Sequence, residues 1–296
     1  MKKLLFSRQQ NERHWVGDGF PVRSIFSYHD GAKDISPFLM MDYAGPANFG
    51  PSTKRRGVGS HPHRGFETVT IVYSGEVEHR DSAGGGGIIR NGDVQWMTAA
   101  SGLVHEEFHG PVYSKEGGPF EMVQLWVNLP KKDKMTKPRY QGIKNEHIPK
   151  LDLPDGAGTI RVIAGLYESA HGPAMTFTPI NLWDLKLNAN KSSTYTVPAG
   201  HTATLFVMEG EVQVESGEII REAEFAVLDQ KEATFTIKAL KDSKVLFMGG
   251  EPINEPIAGY GPFVMNSPEE IHQAFSDFQQ GKMGSMENIE GSEHGH

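Results

Sequence analysis

The chain has 296 residues, enough for two domains of ordinary size, each with its own core. With 38% hydrophobic and 22% charged residues it has the composition of a globular protein, and 34 glycines with 18 prolines suit a turn-rich β protein better than a helical one. A net charge of −8 gives no footprint for direct nucleic-acid binding, and the absence of cysteine excludes a disulfide framework, a thiolate metal site and a cysteine nucleophile.

From the N-terminus, Met1 to Phe6 starts like a signal peptide, but Arg8-Gln9-Gln10-Asn11 interrupts it before an apolar stretch of useful length develops. No run suits a membrane span, so the expectation is a cytoplasmic protein with no membrane association. Phe38 to Tyr43 is the first strong apolar strand, and Lys54-Arg55-Arg56 reads as a solvated loop. Then comes His61-Pro62-His63-Arg64-Gly65-Phe66-Glu67. Side chains alternate with a period of two along a strand, so His61 and His63 face one side. Thr68 to Tyr73 and Val94 to Met97 are short apolar runs punctuated by Gly57, Gly75, Gly92 and Gly102, the rhythm of an antiparallel barrel or sandwich. His105-Glu106-Glu107 repeats the i, i+2 spacing with His105 and Glu107. A lone His-x-His is commonly a surface accident, but two such pairs on neighbouring strands supply three imidazoles and one carboxylate. That set suits a divalent metal ion with open coordination positions, first of all Fe(II).

Met122 to Leu129 ends the first half, Pro130 to Lys134 breaks the pattern, and Met135 to Asp155 reads as a connection. The expected domains are an N-terminal metal-binding barrel over 1–134 and a second barrel over 135–283, which includes the connection and a short C-terminal helix. A disordered tail is expected over 284–296. In the second half, Thr194 to Val197, Thr204 to Met208, Glu211 to Val214, Phe225 to Leu228 and Val245 to Met248 repeat the strand pattern. Matching Gly75 with Gly210 sets Thr196 against His61 and Pro198 against His63, so only the first copy keeps metal ligands, one ion per chain. Near the end, Ser267 at N-cap, Pro268 at N1 and Glu269-Glu270 in the first turn open a helix whose Ile271, Ala274, Phe275 and Phe278 recur at helical spacing. His294 and His296 share the i, i+2 spacing but have neither a rigid support nor a carboxylate partner.

The runs His61 to Val69, Gly92-Asp93-Val94-Gln95-Trp96-Met97-Thr98-Ala99 and Gln124 to Leu129 strongly resemble the pirin family, bicupins of the cupin superfamily; Gly261-Pro262-Phe263-Val264-Met265-Asn266 resembles its C-terminal signature. The likeness spans residues 15 to 280. It implies an all-β fold of two cupin-type antiparallel barrels, with one iron in the N-terminal barrel held by His61, His63, His105 and Glu107. Other transition metals also suit such a site. Glu67 fills the acidic place of the general cupin motif, while in pirins the carboxylate ligand comes from the later segment. Glu106 would point away from the side shared by His105 and Glu107. Ala100 stands where the second cupin motif usually has proline.

The resemblance further implies a quercetin 2,3-dioxygenase-like activity, cleavage of a flavonol-like aromatic substrate by dioxygen, with Glu107 accepting the proton of the 3-hydroxyl group. Met40, Phe66, Phe120, Gln124 and Trp126 are the candidate pocket walls. The alternative, drawn from eukaryotic pirins, is a non-catalytic iron-dependent regulator with a protein partner, a transcriptional coregulator or enzyme modulator. A monomer is the simplest expectation.

Overall fold

The computed structural model of the chain describes residues 1–286, and in it β-branched and aromatic runs pair as antiparallel strands throughout. Contacts gather the chain into two units. One, the His61 unit, takes residues 13–23, 41–145 and, among the described residues, 254–286; the other, the Phe247 unit, takes 1–12, 24–40 and 146–253. The contacts therefore do not follow a cut at 134/135, because the N-terminal strand and the C-terminal segment each pair with sequence far away.

In the His61 unit a seven-stranded sheet runs in the order β12 (Arg139–Ile143), β9 (Val94–Thr98), β6 (Phe66–Ser74), β11 (Gly118–Asn128), β4 (Phe38–Phe49), β3 (Phe20–Ser27) and β2 (His14–Val16). A four-stranded sheet, β5 (Gly57–His63), β10 (Leu103–His109), β7 (Glu76–Asp81) and β8 (Gly86–Arg90), packs on it. Val72, Phe120 and Met122 from the first sheet meet Val77 and Ile89 from the second in a buried cluster. The Phe247 unit repeats the plan. Its large sheet runs β1 (Leu4–Gln9), β22 (Glu224–Leu228), β19 (Thr202–Glu209), β24 (Ser243–Gly250), β17 (Ile180–Leu187), β14 (Gly158–Ala164), β13 (Lys150–Leu153). Its small sheet runs β18 (Ser192–Thr196), β23 (Thr234–Ala239), β20 (Glu211–Val214), β21 (Ile219–Arg221). Two ribbons complete the strands, β15 (Leu166–Tyr167) with β16 (Ala170–His171), and β25 (Ala258–Tyr260) with β26 (Phe263–Met265). Each unit is thus a two-sheet sandwich of the barrel type, not hydrogen-bonded into a closed ring.

The two strand orders superimpose term by term, with one informative exception. The edge strand beside β9 is β12, from the stretch expected to be a connection; the edge strand beside β22 is β1, from the N-terminus. Register locates the equivalent positions. Thr70 pairs with Gln95 and Gln124, and Leu205, at the same distance before its glycine turn, pairs with Ala226 and Phe247. Glu107 lies opposite His79, and Ile237 opposite Val214; His105 lies opposite His61, and Phe235 opposite Tyr195. The partners of His61 and His63 are therefore Tyr195 and Val197, one residue earlier than the glycine match gives. Thr196 and Pro198 are exposed, whereas Tyr195 and Val197 are buried. A one-residue slip changes the face of every side chain on a strand, and it arises because Tyr195 lies ten residues before Leu205 while His61 lies nine before Thr70.

The C-terminal helix Pro268–Gln279 begins as its sequence requires: Ser267 accepts from the Glu270 N–H, and the Glu270 carboxylate accepts in return from the Ser267 N–H. Its Ile271 and Ala274 pack with Phe263, Met265, Met283 and Val104, and Met286 joins from beyond the helix. Ser82 donates to the Met283 carbonyl at 2.6 Å. Residues 284–286, expected to begin a disordered tail, thus continue from a docked turn; 287–296, with His294 and His296, lie outside the described residues.

Candidate metal centre

His61 and His63 end β5, and His105 sits directly opposite His61 on β10. Between His105 and Glu107 the pairing with β5 shifts, so that two steps on β10 match three on β5. The bulge brings the Gly59 carbonyl to 2.8 Å from His61 Nδ1. The next strand, β7, pairs in regular register and sets His79 opposite Glu107 and Asp81 opposite His105. Alternation then turns five polar side chains, His61, His105, Glu107, His79 and Asp81, to one face of the small sheet.

Ligand-capable atoms of His61, His63 and His105 lie within 4.8 Å of one another, as do those of His79, His105 and Glu107. Each Nδ1 in the first trio has a neighbour: Gly59 O for His61, Pro262 O at 3.3 Å for His63, and His79 Nδ1 at 3.3 Å for His105. The three Nε2 atoms have no such neighbour and are the nitrogens available to an ion. His105 Nε2 is buried and has no hydrogen-bond partner, so it is free to meet a ligand. Burial and the nearby His61 ring push His63 down to about 3, and burial with the rings of His63 and His61 holds His105 well below the ordinary histidine range. Both are neutral at pH 7, the form that binds a metal.

Glu107 is held from the large sheet. Gln95, Thr70 and Gln124 form one row across β9, β6 and β11. Gln95 Nε2 donates to Glu107 Oε1 at 3.0 Å and Gln124 Nε2 to Glu107 Oε2 at 2.8 Å. Glu106 faces the other way, taking Arg80 Nη2 at 2.6 Å and Arg55 at 3.5 Å. Glu67 also lies off the centre, buried on the opposite face of β6 with Thr98 Oγ1 at 2.7 Å.

Of the residues expected as pocket walls, Phe66 stacks on Trp126 at 4.2 Å, and both rings approach His63, at 5.1 and 5.3 Å. Gln124 is the anchor of Glu107. Phe120 is not at the centre: it is buried with Phe20, Phe49, His109 and Tyr113 at the far end of the same β11 face, where the core is apolar. Met40 falls among the residues of the Phe247 unit.

His79, Asp81, Gln95, Tyr140 and Pro262 escaped the sequence reading. His79-Arg80-Asp81 carries the i, i+2 spacing that singled out the other pairs, and was the available signal. Tyr140 stacks on His79 at 5.0 Å and donates to Gln95 Oε1 at 3.4 Å. Asp81 Oδ1 accepts from the N–H groups of Ala83 and Gly85 at 2.8 and 2.9 Å, and Oδ2 lies 3.2 Å from His79 Nε2. Burial opposes its ionisation, yet the hydrogen bonds from His79 and these amides outweigh it and hold its carboxyl below the usual carboxylate range. Gly85 has to be glycine, since a Cβ there would lie 2.3 Å from Asp81 Oδ2.

The sequence matches the Pirin family over residues 19–127 and the pirin C-terminal cupin domain over 182–284. A protein of Pseudomonas aeruginosa named as a candidate quercetin 2,3-dioxygenase is 56% identical over 282 residues, 95% of this chain and 98% of its own. A pirin-like protein of Solanum lycopersicum is 39% identical, over 96% of this chain and 92% of its own. The crystal structure of a quercetin 2,3-dioxygenase from Acinetobacter baumannii, 53% identical, superimposes with a TM-score of 0.94 over 97% of this chain and 99% of that one.

Proposed function

The chain belongs to the pirin family of bicupins, and from that premise we propose that it is a metal-dependent dioxygenase, with Fe(II) as its ion, that opens the heterocyclic ring of flavonols such as quercetin. The observation that carries this is a carboxylate, Glu107, gripped by two amides beside three clustered imidazoles, two of them, His63 and His105, buried and neutral. His61, His63, His105 and Glu107 are the residues that would hold the ion. When bound, a divalent ion supplies Lewis acidity, favouring the flavonol 3-oxygen as its anion and making the bound substrate reactive toward dioxygen.

The chain's own residues do the rest. Glu107 takes the 3-hydroxyl proton, while Gln95 and Gln124 keep its two oxygens in place. Phe66 and Trp126 offer stacked apolar surface to the aromatic ring system next to His63. Thr68 Oγ1, Thr70 Oγ1 and Trp126 Nε1, buried and without hydrogen-bond partners, are on strands that carry this face and are available to the oxygens of a bound polyphenol.

The test is turnover of quercetin by iron-loaded protein with and without oxygen. The expected result is oxygen-dependent loss of quercetin with one carbon monoxide released per dioxygen consumed, abolished by chelation. Iron-loaded protein that leaves quercetin unchanged would overturn the dioxygenase proposal; if oxidising its iron then alters binding to a protein partner, the regulatory alternative takes its place.

A further inference from the structure

The hydrogen bonds around Glu107 determine the proton positions on two histidines. A carboxylate only accepts, so the group that Gln95 turns to Glu107 Oε1 is its amide nitrogen, and Tyr140 donating to Gln95 Oε1 agrees with that orientation. The second hydrogen of the same nitrogen falls on His79 Nδ1 at 3.3 Å. His79 Nδ1 is therefore bare, and its proton is on Nε2, directed at Asp81 Oδ2. His105 Nδ1, 3.3 Å from that bare nitrogen, then carries a proton, and His105 Nε2 is left bare. This is the atom found buried without a partner.

We propose that Asp81 and His79 are positioning residues for His105: one run of hydrogen bonds, Asp81 to His79 to His105, fixes the His105 tautomer with Nε2 open to the metal and lends the ligand the negative charge of the carboxylate. The glycine-rich turn after β7 belongs to this device. It folds the Ala83 and Gly85 amides onto Asp81, leaving the second carboxylate oxygen to His79 alone. In the second repeat Val214 replaces His79 and Phe235 replaces His105, so ligand and support are lost together. The metal part of this inference rests on the centre proposed above; the tautomer part does not.

Nitrogen-15 NMR of the metal-free protein with labelled histidine reads the tautomers directly. His105 is expected with the proton on Nδ1 and His79 with the proton on Nε2. In Asp81→Asn the amide presents hydrogens to His79 Nε2, so both rings are expected to flip. Metal affinity in chelator competition should fall by roughly the 10–100-fold that outer partners of metal-bound histidines contribute. The reduction potential of bound iron should rise, because the lost carboxylate charge favours the more oxidised ion. Glu106→Gln, on the outward face, should change none of these. A wild-type His79 carrying its proton on Nδ1, or an Asp81→Asn protein with unchanged tautomers, affinity and potential, overturns the proposal. If Asp81→Asn does not fold, the wild-type tautomers still decide, and Gly85→Ala, which pushes Asp81 off its perch, supplies the affinity comparison. A wild type with the expected tautomers that takes up no metal would sink the metal centre and leave the hydrogen-bond run standing.

Discussion

Glu106 and Glu107 are neighbours of one residue type on one strand, and their surroundings give them opposite fates. Glu106 pairs with Arg80 and Arg55 on the outward face, whereas Glu107 faces the imidazoles with an amide on each oxygen. Glu107→Gln keeps the shape and removes the charge and basicity, so turnover by protein reloaded with iron should fall by roughly 10²–10⁴-fold, the range of general acid–base catalysis. Glu106→Gln should stay active. Wild-type rates in reloaded Glu107→Gln would remove it as the proton acceptor. Glu67 gives a second test, in stability. Burial raises its carboxyl to about 7, against Thr98, whose hydrogen bond favours the ionised form. The unfolded carboxyl ionises from about 4.5, so over the interval up to about 7 unfolding releases a proton and stability falls as pH rises. Glu67→Gln is expected to be more stable than wild type at pH 8 by up to about 3 kcal/mol and to lose that advantage at pH 4; urea denaturation at the two values checks it. The i, i+2 pairs were legible because a strand's alternation is local. His79 and Asp81 carry the same spacing, but the role of His79, like that of Gln95, was not legible, because their partners are set by register between strands distant in sequence.

Among the elements, the segment from β25 to the C-terminal helix does the most for the centre. Pro262 O meets His63 Nδ1, Arg64 N donates to Pro262 O, and Val264 N donates to Arg64 O. Gly65, at φ 92°, lets the strands close: a Cβ there would lie 1.9 Å from Val264 O. Lys134 Nζ ties Gly65 O, Val264 O and Asn128 Oδ1 at 2.6–2.9 Å, and Arg64 Nη1 holds Asp277 of the helix at 2.9 Å. Two substitutions separate helix stability from the clamp. Ser267→Ala removes the cap and should cost about 1 kcal/mol with metal content unchanged. Arg64→Met takes from Asp277 one of three side-chain partners, Lys282 and Gln273 remaining, and also removes the Arg64 bond to Ser101 O, so it should cost more than the lost cap and weaken metal retention. Thermal melts and elemental analysis of both variants decide it; equal metal loss in the two would show that the helix as a whole, not the clamp, matters. Ser267, Pro268 and Glu270 made the helix legible, since a cap is written in adjacent residues. The edge strands β1 and β12 were not, because each is a short polar-flanked run that becomes a strand only by joining a sheet already formed elsewhere.

For the whole molecule, duplication and divergence explain why one metal is expected rather than two. Both groups of three potential ligands among the described residues are in the His61 unit. At the matching places the Phe247 unit has Tyr195, Phe235, Ile237, Val214 and Phe247, all in its apolar core. Purified protein should saturate at one metal per chain, and His63→Ala should lose most of it while keeping the β-sheet circular dichroism of the wild type. A second equivalent, with anomalous scattering from within 190–250, would contradict the register. The repeat itself was readable from glycine-punctuated strands. Its alignment was off by one because turn length leaves no mark on the periodicity of the strands it joins.

The dependence of His63 on Pro262 also orders events in time. All four proposed ligands have been synthesised by residue 107, yet the carbonyl that orients His63 follows roughly 155 residues later. At about 5–20 residues per second that is on the order of ten to thirty seconds on the ribosome. During that interval the histidines belong to a nascent chain in which His63 lacks its orienting carbonyl, and ions that bind imidazole most tightly in the general series, copper above all, would meet all four ligands without that support. If the centre holds its ion as proposed, His63 gains its orienting carbonyl only when the C-terminal segment closes over β5, and a message cut short before codon 262 would encode every proposed ligand without that support.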